Sequence, residues 1–568
     1  MELLLDIMPS VNVCLVHPPS IYDFRKRDLR EGPISDVIPS TPVFEMYPVG
    51  FISMLSHLVK NGYRCRIANV AVQMLMNSNF DVEKYLGNIE ADIFGIDLHW
   101  LPHTHGAFQI ASIIRKVHPN SYILLGGYSA SYFAEDIMKN QQDIDFILAG
   151  DLMEEQILAL ASRIEQGKSV EDVSNLFYRK DGAIKKNPRK YDKNAIANVY
   201  IDYKGLIKNA IQYHDIKGHL PYLEWIRNPV AMTLLQRGCQ YNCGFCGGSY
   251  YSYSRNYGGS SPIIRDINTL GEEMEDIMDT IDTPVFIAGD LNAMGEKYYR
   301  SFLAELKNRG IDLPLLTEYF VPPPENYYEL LSKYVPDYAC EISPDSLDQK
   351  IRMKTGRGYS NNELEKSISF ASKYGSRKYD VYLSIGLPEQ GIENVMDDTD
   401  RLKSLMKQFS TPEMPVYGFI SPLSPFLDPG SLFYEMREKF GYIIRAKNIQ
   451  EYYELLDHGR TWTDFLNYET SRMSRDDIAR ATYLSGIRMV EAEISLGYMD
   501  RETGYQIIMN IQSYMNGDDY APQSDKSKHL TYLVKEIEWS RKHGLKMYSF
   551  MVFLYSVYEG IRRTVMYG

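Results

Sequence analysis

The stretch Leu234-Leu235-Gln236-Arg237-Gly238-Cys239-Gln240-Tyr241-Asn242-Cys243-Gly244-Phe245-Cys246 decides how this chain is read. An apolar strand run breaks at Gly238 into a loop of C-x3-C-x2-C spacing. Three thiolates in so short a loop, with no fourth cysteine or histidine beside them, leave one position open when they hold a cubane of four irons. A structural zinc ion asks for a closed tetrahedral set, usually two cysteine pairs separated by roughly a dozen or more residues, and that pairing is absent. The six cysteines are too few, and too unevenly placed along 568 residues, to form a disulfide framework.

Working outward from the loop, six strand-like runs follow one another with helical patterns between most of them: Val230 to Leu235, Val285 to Ala288, Leu315 to Phe320, Tyr338 to Ile342, Val381 to Ile385 and Val416 to Ile420. This order predicts a partial α/β barrel, with functional residues at the carboxyl ends of its strands, and the cysteine loop follows the first strand. Upstream, Val11 to Val16, Tyr63 to Val70, Ile93 to Leu98, Tyr122 to Leu125 and Phe146 to Ala149 read as buried strands, with helices over Gly50 to Lys60 and Ala107 to Val117. Strand and helix alternating in this way predict a doubly wound parallel sheet, which binds ligands beyond the carboxyl ends of its strands. His17-Pro18-Pro19, His99-Trp100-Leu101-Pro102-His103, Gly126-Gly127-Tyr128-Ser129 and Gly150-Asp151 stand there. Residues 156–225, with a hairpin at Asp181-Gly182, read as a connection with little core of its own. From about 440 the pattern is helical, rich in Tyr and Met, without an obvious strand. The expected fold class is α/β. A doubly wound domain spans 1–155, a linker region 156–225, a barrel 226–435 and a helical region 436–568.

Composition narrows the function. At 568 residues the chain exceeds a single core, and 44% hydrophobic with 24% charged residues is ordinary globular composition. A net charge of −13 disfavours nucleic acid, whose phosphates require clustered cations. Met1 to Asn12 lacks the basic and apolar regions of a secretory signal. No run reaches the roughly 18 apolar residues of a membrane span. The nearest, Met547 to Tyr558 with Arg541, Lys542, Lys546, Arg562 and Arg563 around it, reads as a buried helix or a segment lying on lipid. A soluble, cytoplasmic protein is expected.

The cysteine loop at the end of a first barrel strand resembles the radical S-adenosylmethionine (SAM) superfamily. The resemblance implies that Cys239, Cys243 and Cys246 ligate a [4Fe-4S] cluster whose fourth iron chelates SAM. An electron from an external flavodoxin- or ferredoxin-like donor would then release a deoxyadenosyl radical. It further implies SAM contacts at Phe245, at Asp290 in Gly289-Asp290, at Glu341 and at Gly386 in Ser384-Ile385-Gly386-Leu387-Pro388, with Arg352 and Lys354 within helical reach of Glu341. A doubly wound domain placed before such a barrel resembles the cobalamin-binding, class B members of the group. On that resemblance Pro18, Tyr47 to Gly50, Gly126, Gly127, Ser129, Gly150, Asp151 and Glu154 face cobalamin, and the loop Leu98 to His105 packs beneath the corrin.

Asp97-Leu98-His99 begins like the D-x-H-x-x-G signature of cobalamin mutases, but Pro102 replaces the glycine and the segment follows the third strand, not the first. Cobalt ligation by His99, His103 or His105 is therefore left open. A nucleotide-binding reading fits poorly, because the first strand runs into His17-Pro18-Pro19 and not into a glycine-rich turn. The Pro-rich stretch Ser421 to Gly430 reads as a structural turn or part of the substrate entrance. Cys14, Cys65 and Cys340 read as buried thiols, and Tyr452, Tyr453, Tyr468 and Tyr483 as core or pocket cap. The function implied is methylation of an unactivated carbon in a small-molecule or lipid substrate. The alternatives are ring or C–C bond formation on a lipid or tetrapyrrole, and a non-catalytic cobalamin sensor.

Overall fold

The computed structural model describes residues 11–29, 43–223, 225–226, 229–259, 262–423 and 427–516. Strands β1 (Asn12–His17), β2 (Arg64–Asn69), β3 (Ile93–Asp97), β4 (Tyr122–Gly126) and β5 (Phe146–Leu148) form a parallel sheet in the order β2-β1-β3-β4-β5. The order reverses between β1 and β3, which opens a crevice at their carboxyl ends. All five residues of β3 are buried, as expected of a parallel strand covered on both faces, and such burial makes the strand visible as an apolar run. The helices Gly50–Lys60 and Thr104–Val117 cover the sheet.

The segment expected as a connection does more than connect. Its hairpin, β6 (Leu176–Lys180) and β7 (Ala183–Lys186), adds two antiparallel strands beside β5 and brings the sheet to seven. Val173, Leu176, Phe177, Tyr203, Leu206 and Trp225 are buried. Asn209 Nδ2 donates to the Cys65 carbonyl at 2.8 Å, which ties the helix Tyr203–Gln212 to β2.

The second sheet is built from β8 (Ala231–Leu234), followed across a short antiparallel pair, β9 (Gln236–Arg237) and β10 (Ile263–Ile264), by β11 (Val285–Ala288), β12 (Leu315–Tyr319), β13 (Tyr338–Asp345), β14 (Tyr379–Ile385) and β15 (Val416–Pro422). Its strands are all parallel and ordered β15-β14-β13-β12-β11-β8, with helices between, which is the expected partial barrel. Arg265 and Glu273 form a buried ion pair behind β8. The Arg265 guanidinium also donates to the Val199 carbonyl at 2.8 Å, and the Thr233 hydroxyl donates to Glu273 at 2.6 Å.

The C-terminal region is helical, with Arg475–Leu496 packed on β15 and on Ile392–Phe409, and Arg501–Asn516 beyond it. It also holds an antiparallel pair, β16 (Tyr442–Ile444) and β17 (Tyr468–Thr470), where no strand was expected; at three residues each they carry no legible alternation. The Leu427 N–H donates to Asn467 Oδ1 at 2.8 Å and Asn467 Nδ2 donates to the Leu427 carbonyl at 3.2 Å, within the Pro-rich stretch whose Ser424, Pro425 and Phe426 lie outside the described residues. Met547 to Tyr558 and its basic flanks also lie outside them. Among the described residues no helix is long and apolar enough to cross a membrane.

Removing one partner of a buried ion pair leaves an uncompensated charge, which costs about 3 to 5 kcal/mol. Glu273→Ala is therefore expected to lower the denaturation midpoint clearly, whereas Glu83→Ala, which breaks an exposed pair with Lys116, leaves it nearly unchanged. Equal shifts in urea melts of the two variants would count against the anchoring role of Glu273.

Candidate active site at the domain seam

The cysteine loop is shaped by what surrounds it. Gly238 has a φ of +75°, and a Cβ built there would approach the Tyr253 ring to 3.0 Å. A Cβ on Gly244 would sit 2.2 Å from Phe433, and Gly356 has a φ of +102° with its Cβ position 2.9 Å from the Asn242 carbonyl. Inside the loop, Cys239 Sγ accepts from the Tyr241 N–H at 3.4 Å and the Cys246 N–H donates to the Cys243 carbonyl at 3.2 Å. Burial pushes all three thiols up, Cys243 to about 11, and charge on either of the other two raises Cys246 further. Arg357, 4% exposed and paired with Asp345 at 3.3 Å, works in the opposite direction on Cys239 and Cys243.

Among the described residues no group of three His, Cys, Asp or Glu side chains converges as a single metal ion requires. Three thiols in one short loop, with a buried cation beside them, are the donor set that a negatively charged, thiolate-held iron–sulfur cluster takes. Metal binding is also what can deprotonate thiols so deeply desolvated.

The barrel interior beside the loop is acidic. Glu318, Glu341 and Asp380 occupy matching register positions on β12, β13 and β14 and so share one face. Asp380 is paired with Lys378 at 2.6 Å. Glu318 accepts from the Gly289 N–H at 2.8 Å, and burial raises its carboxyl to about 7. Asp290 is raised by burial to about 6 and is already enclosed: it accepts from the N–H groups of Ala293 and Phe320 and from the Tyr241 hydroxyl. Phe245 is half-buried against the core. Gly386 has a φ of +90° and lies under the C-terminal pair, with the Tyr442 hydroxyl donating to its carbonyl at 2.8 Å. Arg352 braces the carbonyls of Ser346 and Tyr359 inside the fold and donates to the Asn361 side-chain oxygen at 2.7 Å.

On the other side of the seam, Asp97 ties the ends of two strands together: its carboxylate meets His17 Nδ1 at 3.0 Å and accepts the His99 N–H at 2.9 Å. Pro18 and Pro19 pack on Gly106, where no Cβ would fit, and both the N–H and hydroxyl of Ser129 donate to the His99 carbonyl. The two glycines differ. A Cβ on Gly126 meets nothing within 4 Å, whereas on Gly127, at φ +106°, it would fall 2.5 Å from His99 Cα. Gly126 therefore borders open space, and Gly127 is required by the backbone of the neighbouring loop.

The three histidines separate as clearly. His105 has both ring nitrogens engaged, by the Tyr22 N–H and by Asp457. His103 bonds the Phe44 carbonyl and is held neutral by burial, its pKa lowered to about 3. His99 stacks on Tyr128 at 4.5 Å between ring centroids. Tyr128 in turn lies 4.9 Å from Tyr257 of the barrel. Beside it Asp151 accepts from the Tyr253 hydroxyl at 2.8 Å and pairs with Arg237 at 3.5 Å, one residue before Gly238. The carboxyl-end loops of the first sheet thus meet the cysteine loop of the second.

Residues 233–402 match the family model described as the radical SAM superfamily. Among solved structures, the radical SAM methyltransferase TsrM from Kitasatospora setae, with cobalamin and a [4Fe-4S] cluster bound, superposes at a TM-score of 0.58 and 14% identity, over 88% of this chain and 99% of that one. The cobalamin-dependent radical SAM enzyme OxsB, with aqua-cobalamin and SAM bound, does so at 0.57 and 15% identity, over 94% and 72%. An uncharacterised methyltransferase of Pyrococcus horikoshii is 21% identical over 404 residues, covering 68% of this chain and 77% of its own. The match runs from β8 through β14 into the helix Ile392–Phe409, so the second sheet and its helices are the part of the chain that is like the radical SAM superfamily. The fold over most of the chain is like that of these two solved structures.

Glu318 and Arg357 escaped sequence reading as site residues; Tyr128 and Asp151 stood in stretches already singled out, but the stacking of the one on Tyr257 and the pairing of the other with Arg237 were not legible. Only Glu318 carried a signal, a carboxylate inside the apolar run Leu315 to Phe320. Burial raises its folded pKa to about 7 from 4.5, so between these values the folded chain binds more protons than the unfolded one and loses stability as pH rises. Glu318→Gln removes that loss. The metal-free variant is expected to melt above the parent at pH 8 and to match it near pH 4.5, and a constant difference across the range would refute the assignment.

Proposed function

We propose that this chain is a cobalamin-dependent radical SAM enzyme that methylates an unactivated carbon of a small-molecule or lipid substrate. The observation that carries the reading is the seam itself, where Tyr128, Asp151 and the open space beside Gly126 lie against Arg237 and the cysteine loop. The protein supplies position and shielding for its cofactors. When bound, the cluster supplies one electron to the sulfonium of SAM, and the corrinoid supplies a carrier for the methyl group.

Cys239, Cys243 and Cys246 hold the cluster and Arg357 balances its negative charge. Glu318 and Glu341 offer carboxylates to a cationic amine inside the barrel, while Asp290, already surrounded by donors, fixes the turn after β11 and the Tyr241 ring. Gly126 leaves room for the flat face of the corrin. Asp151 with Arg237 keeps the two domains in register, and His99 on Tyr128 presents a stacked face between them. The six free cysteines and an oxygen-sensitive cluster suit a reducing compartment, for which we propose the cytoplasm.

Anaerobic reconstitution is expected to give about four irons per chain. The Cys239, Cys243 and Cys246 triple Ala variant should lose the cluster's visible absorption and keep its far-UV dichroism. Gly126→Trp should weaken retention of hydroxocobalamin with little change in melting temperature, while Gly127→Ala lowers the melting temperature. With methyl-labelled SAM and substrate, labelled product together with deoxyadenosine supports C-methylation. Deoxyadenosine without labelled product would replace it by bond-forming radical chemistry.

A further inference from the structure

The barrel strands bury only one of their two faces completely. A parallel strand enclosed on both sides buries all its side chains, as β3 does. In β8 and β11, Thr233 and Ile287 are buried, while Met232, Leu234, Phe286 and Ala288 on the alternate positions stay partly exposed. β14 and β15 continue the pattern: Val381 and Val416 are buried, and Tyr382, Ser384 and Phe419 are partly exposed. Side chains two apart along a strand share a face, and the register places all of these exposed positions on the face that carries Glu318, Glu341 and Asp380. The inner face of the barrel therefore borders a hollow that its own side chains do not fill.

The hollow is closed at one end. Leu316 and Ala339 are buried there with Phe286 packed on them, Asp380 is paired with Lys378, and Tyr498 lies on Tyr417 at 5.0 Å between ring centroids. At the other end stands the cysteine loop that follows β8. The wall between has three kinds of surface. β8 and β11 present apolar side chains, and β12 and β13 present the carboxylates of Glu318 and Glu341. β14 and β15 present an aromatic pair, Tyr382 and Phe419, with ring centroids 4.6 Å apart and planes 13° from parallel. Among the inward positions of these six strands none is Lys or Arg. Lys378 at the closed end is engaged by Asp380, and Arg357 beside the cysteines by Asp345.

We propose that this hollow receives a flat apolar or aromatic portion of the substrate, uncharged or cationic, against Tyr382 and Phe419, and that it turns anionic groups away. The inference rests on the reading of the chain as a radical enzyme whose substrate meets its cofactors in the barrel. Two rings already stacked offer a surface to which a third adds by offset stacking or edge-on. An anion in the same space would lose its water, face Glu318 and Glu341, and find the neighbouring cations already paired. A carboxylate or phosphate on the substrate therefore stays outside the hollow.

The test uses the full chain with its cluster reconstituted and oxidised, at pH 8 with SAM at saturation, so that the probes read the space SAM leaves. Equilibrium dialysis compares three probes of one shape: neutral 2-naphthylmethanol, cationic 2-naphthylmethylammonium and anionic 2-naphthoate. The first two are expected to bind, and the anion to bind more weakly by about tenfold or more. Phe419→Leu and Tyr382→Leu, which keep apolar volume and remove a ring, should each weaken 2-naphthylmethanol by about fivefold. Tyr505→Ala, at a position 60% exposed on the helix Arg501–Asn516, should leave all three affinities alone. Visible absorbance, read on every sample, reports whether the cluster is held. With the cluster held, failure of every probe to bind, 2-naphthoate bound as tightly as 2-naphthylmethanol, or parental affinity in both Leu variants would overturn the substrate class and leave the proposed function standing. A parent chain that takes up no cluster would overturn the proposed function, and the substrate class with it.

Discussion

On the proposed reading, three largely enclosed thiols of one loop lose their protons together, and this demand sets the terms for the residues around them. Burial alone drives each of them away from the thiolate, and each negative charge makes the next harder to form. What offsets this is local: the Tyr241 N–H on Cys239 and the Arg357 guanidinium beside Cys239 and Cys243, to which a bound cluster would add its own charge. Arg357 is itself costly to bury and is kept charged by Asp345, which accepts from Thr355 as well. The ion pair and the helix Gln349–Thr355 are therefore part of the cysteine loop's environment although more than a hundred residues of chain lie between them.

The strands were legible because both sheets are parallel and enclosed. A parallel strand enclosed on two faces is mostly apolar, so β3, β4 and β11 stand out from the polar segments around them. The helix Gly50–Lys60 shows its apolar face at helical spacing and has the expected bounds. The hairpin at Asp181-Gly182 was legible as a turn, but that its strands extend the first sheet was not, since an antiparallel edge partner leaves no mark on the sequence of β5. β16 and β17 are too short to show a period. β13 runs past the expected Ile342 to Asp345 because its register shifts there, and such an irregularity belongs to the pairing and not to either strand alone.

The site divides along the same line. Cysteine spacing is a local pattern, and it was read from the loop itself. Contacts made across the fold were not. Gly126 and Gly127 were read alike, as facing the corrin, yet the Cβ position of Gly127 is filled by the backbone of Leu98 and His99, and that of Gly126 borders space. Three histidines in seven residues looked alike in sequence, and their separation into His105 on Asp457, His103 on Phe44 and His99 on Tyr128 depends on residues from 44 to 457.

The C-terminal region completes this dependence. A six-stranded sheet does not close into a barrel, so its edge and its strand ends need covering from outside. The helix Arg475–Leu496 covers β15, Tyr442 and Tyr468 hold the turn at Gly386, and Phe433 takes the volume that a side chain on residue 244 would occupy. One continuous stretch of chain therefore supports the last two barrel strands and the cysteine loop after the first. Since Ile449, on the same stretch, donates its N–H to Asp136 of the first domain at 2.9 Å, a shift in the C-terminal region would move both walls of the seam together. The spacing between the two sides of the seam is thus tied to a segment that belongs to neither sheet.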